Sequence, residues 1–356
     1  MKQVAIIGIQ GVPARYGGFE SLVENIIGEN CSPDIQYTVF CSAKDMPERM
    51  ATYKGCRLKY IPLHANGIQS IPYDIIAMIR TICGYDTILV LGTSGCIFLP
   101  ALKLLSRKKI IVNIDGLEHR RDKWGKMTRR FLRLSEATAC KFADTIIADN
   151  KGIQDYVRDT YHKEAELIAY GGNHVLQDIS QEKQTNTLEL YGLTKGGYAI
   201  SICRIEPENN CHIILEAFSK IDKRLVFIGN WQHSSYAKRL KEEYGNRHNI
   251  CLLESIYDIG TLYTLRSNAG IYIHGHSAGG TNPSLVEAMF FDCPILCYDV
   301  IYNRATTNNL AYYFSNSSDL INMLTRCTTS RNPLLTKFAK ENYTWKHIAT
   351  QYETLY

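Results

Sequence analysis

Val4-Ala5-Ile6-Ile7-Gly8-Ile9 runs directly into Gln10-Gly11-Val12-Pro13-Ala14-Arg15-Tyr16-Gly17-Gly18-Phe19-Glu20, after which Phe19, Leu22, Val23, Ile26 and Ile27 recur at helical spacing. The order is strand, glycine loop, helix. Such a loop aims backbone N–H groups and the positive end of a helix dipole at the space beyond the strand, which suits an anion. Gly17 and Gly18 allow close backbone approach, with glycines that serve only a tight turn as the alternative. The spacing is not the three-glycine dinucleotide fingerprint, because Gly8 and Gly11 are followed by Val-Pro-Ala-Arg. The second strand ends at Phe40-Cys41-Ser42 without the acid that a nicotinamide enzyme would place there for a ribose hydroxyl.

Further apolar runs follow with helical stretches between them: Tyr37–Cys41, Leu58–Ile61, Thr87–Leu91, Ile110–Ile114 and Thr145–Ala148. Continuous apolar strands joined by helices predict a parallel sheet covered on both faces. After Tyr170-Gly171-Gly172-Asn173 the rhythm restarts at Tyr198–Cys203 and continues through Leu225–Gly229, Ile250–Leu253, Gly270–His274, Pro294–Tyr298 and Ala311–Phe314. The expected fold class is α/β, with two Rossmann-like, doubly wound parallel-sheet domains facing across a cleft. The expected boundaries are 1–170 for the first domain and 171–340 for the second. Trp345, Ile348, Tyr352 and Leu355 predict a final helix within 341–356 that packs back toward the first domain.

Composition agrees with an ordinary folded protein. The 356 residues are 45% hydrophobic and 21% charged, enough for two cores. A net charge of +5 does not mark a dedicated nucleic-acid binder. Twelve cysteines lack the CxxC spacing of zinc ribbons or redox motifs, and they read as reduced thiols of a cytoplasmic protein. Met1–Gln10 reads as a strand rather than a leader. The longest uncharged stretch, Thr87–Leu102, is broken by Gly92, Thr93, Ser94, Gly95 and Pro100, so any membrane contact is expected to be peripheral.

The second half carries sharper signals. Arg204-Ile205-Glu206-Pro207-Glu208-Asn209-Asn210 follows a strand, placing a permanent cation where open α/β sheets bind ligands. A surface arginine paired with Glu206 or Glu208 is the plainer alternative. Downstream, Gly279-Gly280-Thr281 leads to Asn282, which reads as an N-cap with Pro283 at the first helical position. Glu287 lies about one turn into that helix, within reach of ligand hydroxyls, or else simply solvated. His274 and His276 have no third ligand at helpful spacing, and the chain contains no Asp-x-Asp pair, so neither a metal nor a cofactor is expected.

Taken together, Gly11–Glu20, Asp115-Gly116-Leu117-Glu118, Arg204–Asn210 and Gly280–Met289 resemble retaining family four of the glycosyltransferases, in particular its bacterial rhamnosyltransferase branch. The resemblance spans nearly the whole chain and implies the GT-B arrangement and retaining, metal-independent, hexosyl-type transfer. It implies a diphosphate role for Arg204 and a ribose role for Glu287, with Gly17, Gly18, Asn209, Gly279, Gly280, Thr281 and Asn282 completing the donor site. Asn209 stands where the family usually has a lysine, and Gly279 where it has a first glutamate eight positions before Glu287. Asp115 lies near the place of a family histidine, so Asp115 and Glu118 become candidate acceptor-side catalytic residues, with turn and cap chemistry as the alternative. The implied donor is dTDP-rhamnose, and the implied acceptor a saccharide or polyprenyl-diphosphate-linked saccharide of surface polysaccharide synthesis.

Arg107–Lys141 holds eleven Lys or Arg against four Asp or Glu. Within it Arg120, Arg121, Lys123, Lys126, Arg129, Arg130 and Arg133 alternate with Trp124, Met127, Phe131 and Leu134, as on an interfacial helix. Contact with anionic lipid at the inner face of the plasma membrane, or with a lipid-diphosphate acceptor, is one reading; a solvated basic face is the other. A sugar-nucleotide epimerase, a nicotinamide-dependent oxidoreductase and a non-catalytic sugar-nucleotide-binding module are the competing functions, since the fold alone does not define chemistry.

Overall fold

The computed structural model describes residues 1–15, 17–120, 124–326 and 331–356. Tyr16 of the glycine loop and Arg121 and Lys123 of the basic stretch lie outside the described residues, as does the side chain of Arg120. The chain divides into two compact units: Met1–Tyr170 with Trp345–Tyr356, and Gly171–Thr344.

Unit 1 is built on β1 (Lys2–Ile7), β2 (Ile35–Ser42), β3 (Thr52–Tyr53), β4 (Cys56–Ile61), β5 (Thr87–Leu91), β6 (Lys109–Asn113), β7 (Thr145–Ala148) and β8 (Glu166–Leu167). They form one sheet in the order β3-β4-β2-β1-β5-β6-β7-β8, parallel throughout except for β3 against β4. Every residue of β5 is buried, as expected for a strand covered on both faces. The crossovers are α1 (Gly18–Glu29), α2 (Ser70–Arg80), α3 (Leu99–Leu105), α4 (Lys126–Phe142) and α5 (Lys151–Tyr161). The first strand stops two residues earlier than its apolar run, because Gly8 turns the chain at φ 96°. The two-residue strands β3 and β8 carry no apolar run and go unannounced by the sequence.

Unit 2 contains α6 (Gln181–Leu190), β9 (Tyr198–Ile202), α7 (Cys211–Phe218), β10 (Arg224–Ile228), α8 (Ser235–Tyr244), β11 (Ile250–Leu253), α9 (Ile259–Ser267), β12 (Ile271–His274), α10 (Pro283–Met289), β13 (Ile295–Tyr298), α11 (Ile301–Thr306), β14 (Tyr312–Phe314), α12 (Ser317–Arg326) and α13 (Pro333–Asn342). Its sheet is fully parallel in the order β11-β10-β9-β12-β13-β14. The strand order reverses between β9 and β12 here, and between β1 and β5 in unit 1. At such switch points successive crossovers leave in opposite directions, opening a crevice at the carboxyl ends. The last helix, α14 (Trp345–Thr354), belongs to unit 1, where Trp345, Ile348 and Tyr352 join the core of Val4, Ile6, Tyr37 and Val39.

Two features of these cores can be tested. A Cβ on Gly8 would lie 2.1 Å from the Leu91 carbonyl oxygen, on the neighbouring strand. Gly8→Ala should therefore cost about 2–4 kcal/mol from clash and backbone strain together, measured by denaturant unfolding. His274, at the end of β12, is 2% exposed and its Nε2 has no hydrogen-bond partner. Burial, with a smaller contribution from His276, pushes it well below the usual histidine value of 6.5. The unfolded chain then takes up a proton that the folded one refuses, so this contribution to stability is complete above the ordinary value and falls as pH drops below it. Unfolding temperatures from about pH 7.5 down to about 5.5 should decline less steeply in His274→Leu than in the parent; equal slopes would refute this account.

Candidate functional site

In unit 2 the two loops that leave the switch point are joined to each other. Arg204 follows β9, and its carbonyl accepts a hydrogen bond from Asn209 Nδ2 at 2.8 Å, closing the loop. With that nitrogen donating, Asn209 Oδ1 is the acceptor facing His276 Nδ1 at 2.7 Å, so the imidazole proton is assigned to Nδ1. Asn210 Nδ2 donates to the Gly275 carbonyl at 2.9 Å, and both the amide and hydroxyl of Ser277 donate to the Glu208 carbonyl, at 2.8 and 2.9 Å. Gly275 itself leaves no room for a side chain, since a Cβ would sit 2.2 Å from the Asn209 carbonyl oxygen. Asn209 is buried and its amide is engaged inside the loop, so it braces the turn rather than presenting a polar group outward.

Arg204 is different. Its side chain is half exposed, with Glu208 Oε1 at 4.0 Å, the outer limit of an ion pair. At that exposure such a pair contributes little, and the guanidinium is held near the carboxyl end of the sheet without being neutralised by a tight contact.

The second loop reaches α10 through Gly279, at φ 84°, and Gly280. Asn282 caps the helix as its position predicts: Oδ1 accepts from the Ser284 amide at 3.0 Å and from its hydroxyl at 2.8 Å, with Pro283 at the first helical position. Thr281 is buried, with its Oγ1 3.5 Å from that of Thr306. Glu287 is largely buried and ion-paired rather than freely solvated. Its Oε2 accepts from Arg266 at 2.5 Å, and its Oε1 lies 3.4 Å from His174 Nε2. Burial pushes the Glu287 carboxyl up, but the Arg266 charge and the contact with His174 more than reverse this, and the group stays below the usual glutamate range. Arg266 and His174 escape sequence inspection because neither sits in a motif and both meet Glu287 only through the fold.

In unit 1, Gly17 precedes α1 at φ 115°, and a Cβ there would fall 2.0 Å from Glu20 Oε2. The Glu20 carboxylate folds back over the loop, where Oε1 accepts from the Gln10 amide at 2.9 Å. An acid of the chain itself thus meets the first turn of α1. Burial raises the Glu20 carboxyl above its usual range against these amide contacts, with the charges of Asp115 and Asp45 adding to the rise. Glu24 anchors the same loop by accepting from the Ala14 amide at 2.5 Å.

Asp115 lies just past β6 in the left-handed region, at φ 61°. Asn113 holds it there: Oδ1 accepts from the Asp115 amide at 3.1 Å, while Nδ2 donates to Tyr352 Oη on α14 at 2.8 Å. Glu118 accepts from Trp124 Nε1 at 3.1 Å. One residue on, His119 Nδ1 is 3.1 Å from buried Glu136, which also accepts from Tyr156 and Tyr161 at 2.8 and 2.7 Å. Burial pushes the Glu136 carboxyl up, but these hydrogen bonds more than offset it and hold the group below its usual range. Among the described residues no three His, Cys, Asp or Glu side chains are grouped so as to hold a metal ion.

Residues 190–327 match the family model of glycosyl transferases group 1, and residues 1–173 match a model described as a domain of unknown function (DUF1972). No curated protein sequence matches the chain significantly. Among solved structures, sucrose-phosphate synthase from Thermosynechococcus elongatus superposes with a TM-score of 0.83 at 16% identity, covering 100% of this chain and 98% of that one. HepE of Anabaena, solved with UDP, gives 0.77 at 14% identity, with 100% and 99% coverage. The same protein with UDP-glucose gives 0.76 at 13% identity, with equal coverage. At these identities the likeness speaks for the fold, which is of the GT-B kind. With residues 190–327 matched by the group 1 model and both sheets in place, the second unit carries a glycosyl transferases group 1 domain within a chain of the GT-B kind of fold.

Proposed function

We propose that unit 2 binds a nucleotide-diphosphate sugar and that the enzyme transfers its sugar, rhamnose from dTDP-rhamnose, to a saccharide or polyprenyl-diphosphate-linked acceptor in surface polysaccharide synthesis. The observation that carries the reading is the braced pair of loops at the unit 2 switch point, which leaves Arg204 half exposed beside them. The UDP and UDP-glucose complexes of HepE, a protein of the same fold, support a nucleotide-sugar donor. The family resemblance of the sequence, with Gly279 in place of a glutamate, supports a deoxy sugar.

In this reading Arg204 meets the diphosphate, as charge grows on it when the bond to the sugar C1 breaks. Asn209 acts through the loop that it braces. Glu287, with Arg266 and His174 fixing both oxygens, receives ribose hydroxyls near the start of α10, beside Gly279, Gly280, Thr281 and Asn282. Unit 1 serves the acceptor through Asp115 and Glu118, and its Gly17-Gly18 turn serves the donor. The acceptor oxygen bonds to C1 on the face the diphosphate leaves, its proton passes to the departing diphosphate oxygen, and configuration is retained. No metal or cofactor is invoked.

A panel of nucleotide sugars scored first by thermal stabilisation and then by transfer would test the donor assignment, with dTDP-rhamnose expected to lead both. Arg204→Ala should lower transfer at least about tenfold, the effect of losing a contact worth about 1.4 kcal/mol or more in the transition state; unchanged turnover would remove Arg204 from the site. Glu287→Gln should raise the donor KM about tenfold while leaving kcat nearer the parent value, as for a charged hydrogen bond lost from donor binding. A variant of Glu287 with an unaltered KM would assign the residue to folding alone.

A further inference from the structure

Unit 1 exposes large apolar side chains in the midst of its densest positive charge. β5, β6 and β7 are consecutive both in sequence and in the sheet, so right-handed crossovers place α3 and α4 on one side of it, where they pack together. At the end of α3, Leu104 is 89% exposed and Leu105 61%. On α4, Met127 is 80% exposed and Leu134 56%, two turns apart on one stripe, with exposed Lys126, Arg130 and Arg133 around them.

The opposite side of α4 is the buried one: Ser135, Glu136, Ala139 and Cys140. Glu136 is the only acid of this helix, so its outward face carries cations and no anion. Beside the Leu104-Leu105 corner, a shallow cleft of about 530 Å³ is lined by Lys103, Ser106, Arg107, Lys108, Lys109 and Asp144, four cations against one acid. A second copy docked on this face through a two-fold axis would bring like charges together. A nucleic acid would neutralise the cations but leave the leucines without a partner. A surface combining phosphates with hydrocarbon satisfies both.

We propose that the outer face of α3 and α4 docks unit 1 on an anionic lipid surface, with Leu104 and Leu105 entering the acyl boundary and the cations meeting lipid phosphates. The inference goes beyond the donor chemistry and does not rest on it. Among the described residues no helix is long and apolar enough to cross a membrane, so this contact lies along the surface. Helix α4 is about 25 Å long, and its N-terminal end follows the loop of Asp115 and Glu118, so a docked unit would hold that loop close to lipid headgroups.

Flotation of the full chain with phosphatidylcholine vesicles, with and without phosphatidylglycerol, tests this without any donor. Binding is expected only with phosphatidylglycerol and should weaken as salt is raised. Arg107→Glu with Lys108→Glu should lower it by more than about twentyfold, at about fivefold for each cation removed. Leu104→Asp with Leu105→Asp should lower it by at least about tenfold. Unfolding temperature should stay unchanged in both variants, because none of the four side chains is buried. Absence of binding to anionic vesicles, binding that both variants retain, or self-association abolished by the same substitutions in a chain that ignores vesicles would each overturn the proposal.

Discussion

Parallel strands cannot be joined by tight hairpins, and the helices that join them must cover the sheet. That constraint decides where this chain can do chemistry. Both faces of each sheet are closed by helices, and the strand order reverses once in each unit, between β1 and β5 and between β9 and β12. At these points successive crossovers diverge, and the loops between them sit at the carboxyl edge of the sheet. The glycine loop begins just past the end of β1, Arg204 lies two residues past β9, and His276 two residues past β12.

Loops so placed need internal ties, and the ties here are buried polar groups. The Asn209–His276 contact joins two loops across the switch point, and the Glu287–Arg266 pair is a largely buried ion pair. Deleting one member of such a pair usually costs more than the pair contributes, because the other is left desolvated without a partner. Such groups make a loop's geometry specific even where they add little to net stability. Arg204 shows the complementary arrangement, with its carbonyl tied down and its charged end left half exposed.

Much of the fold was legible because a parallel strand writes itself as an unbroken apolar run, and because Asn282-Pro283 carries cap chemistry locally. The edges were less legible. β3 and β8 are too short and too polar to leave a pattern, and the end of β1 is set by backbone conformation at Gly8. In the candidate site the sequence supplied the side chains but not their neighbours. Glu287 read alone is a helix glutamate; its binding to Arg266 and His174 depends on residues 21 and 113 positions away in the chain. At the end of α3, no motif in the sequence marks Leu104 and Leu105 as the outward-facing leucines that they are.

The return of α14 to the first sheet also orders events during synthesis. Unit 2 is one unbroken segment and leaves the ribosome before the helix that finishes its predecessor. Until Trp345 and Ile348 arrive, part of the apolar surface near β1 and β2 awaits its cover, and Asn113 lacks the tyrosine hydroxyl that completes its bonding beside Asp115. The loop of Asp115 is thus completed late, and a nascent chain that has already shaped its second unit still lacks a finished first one.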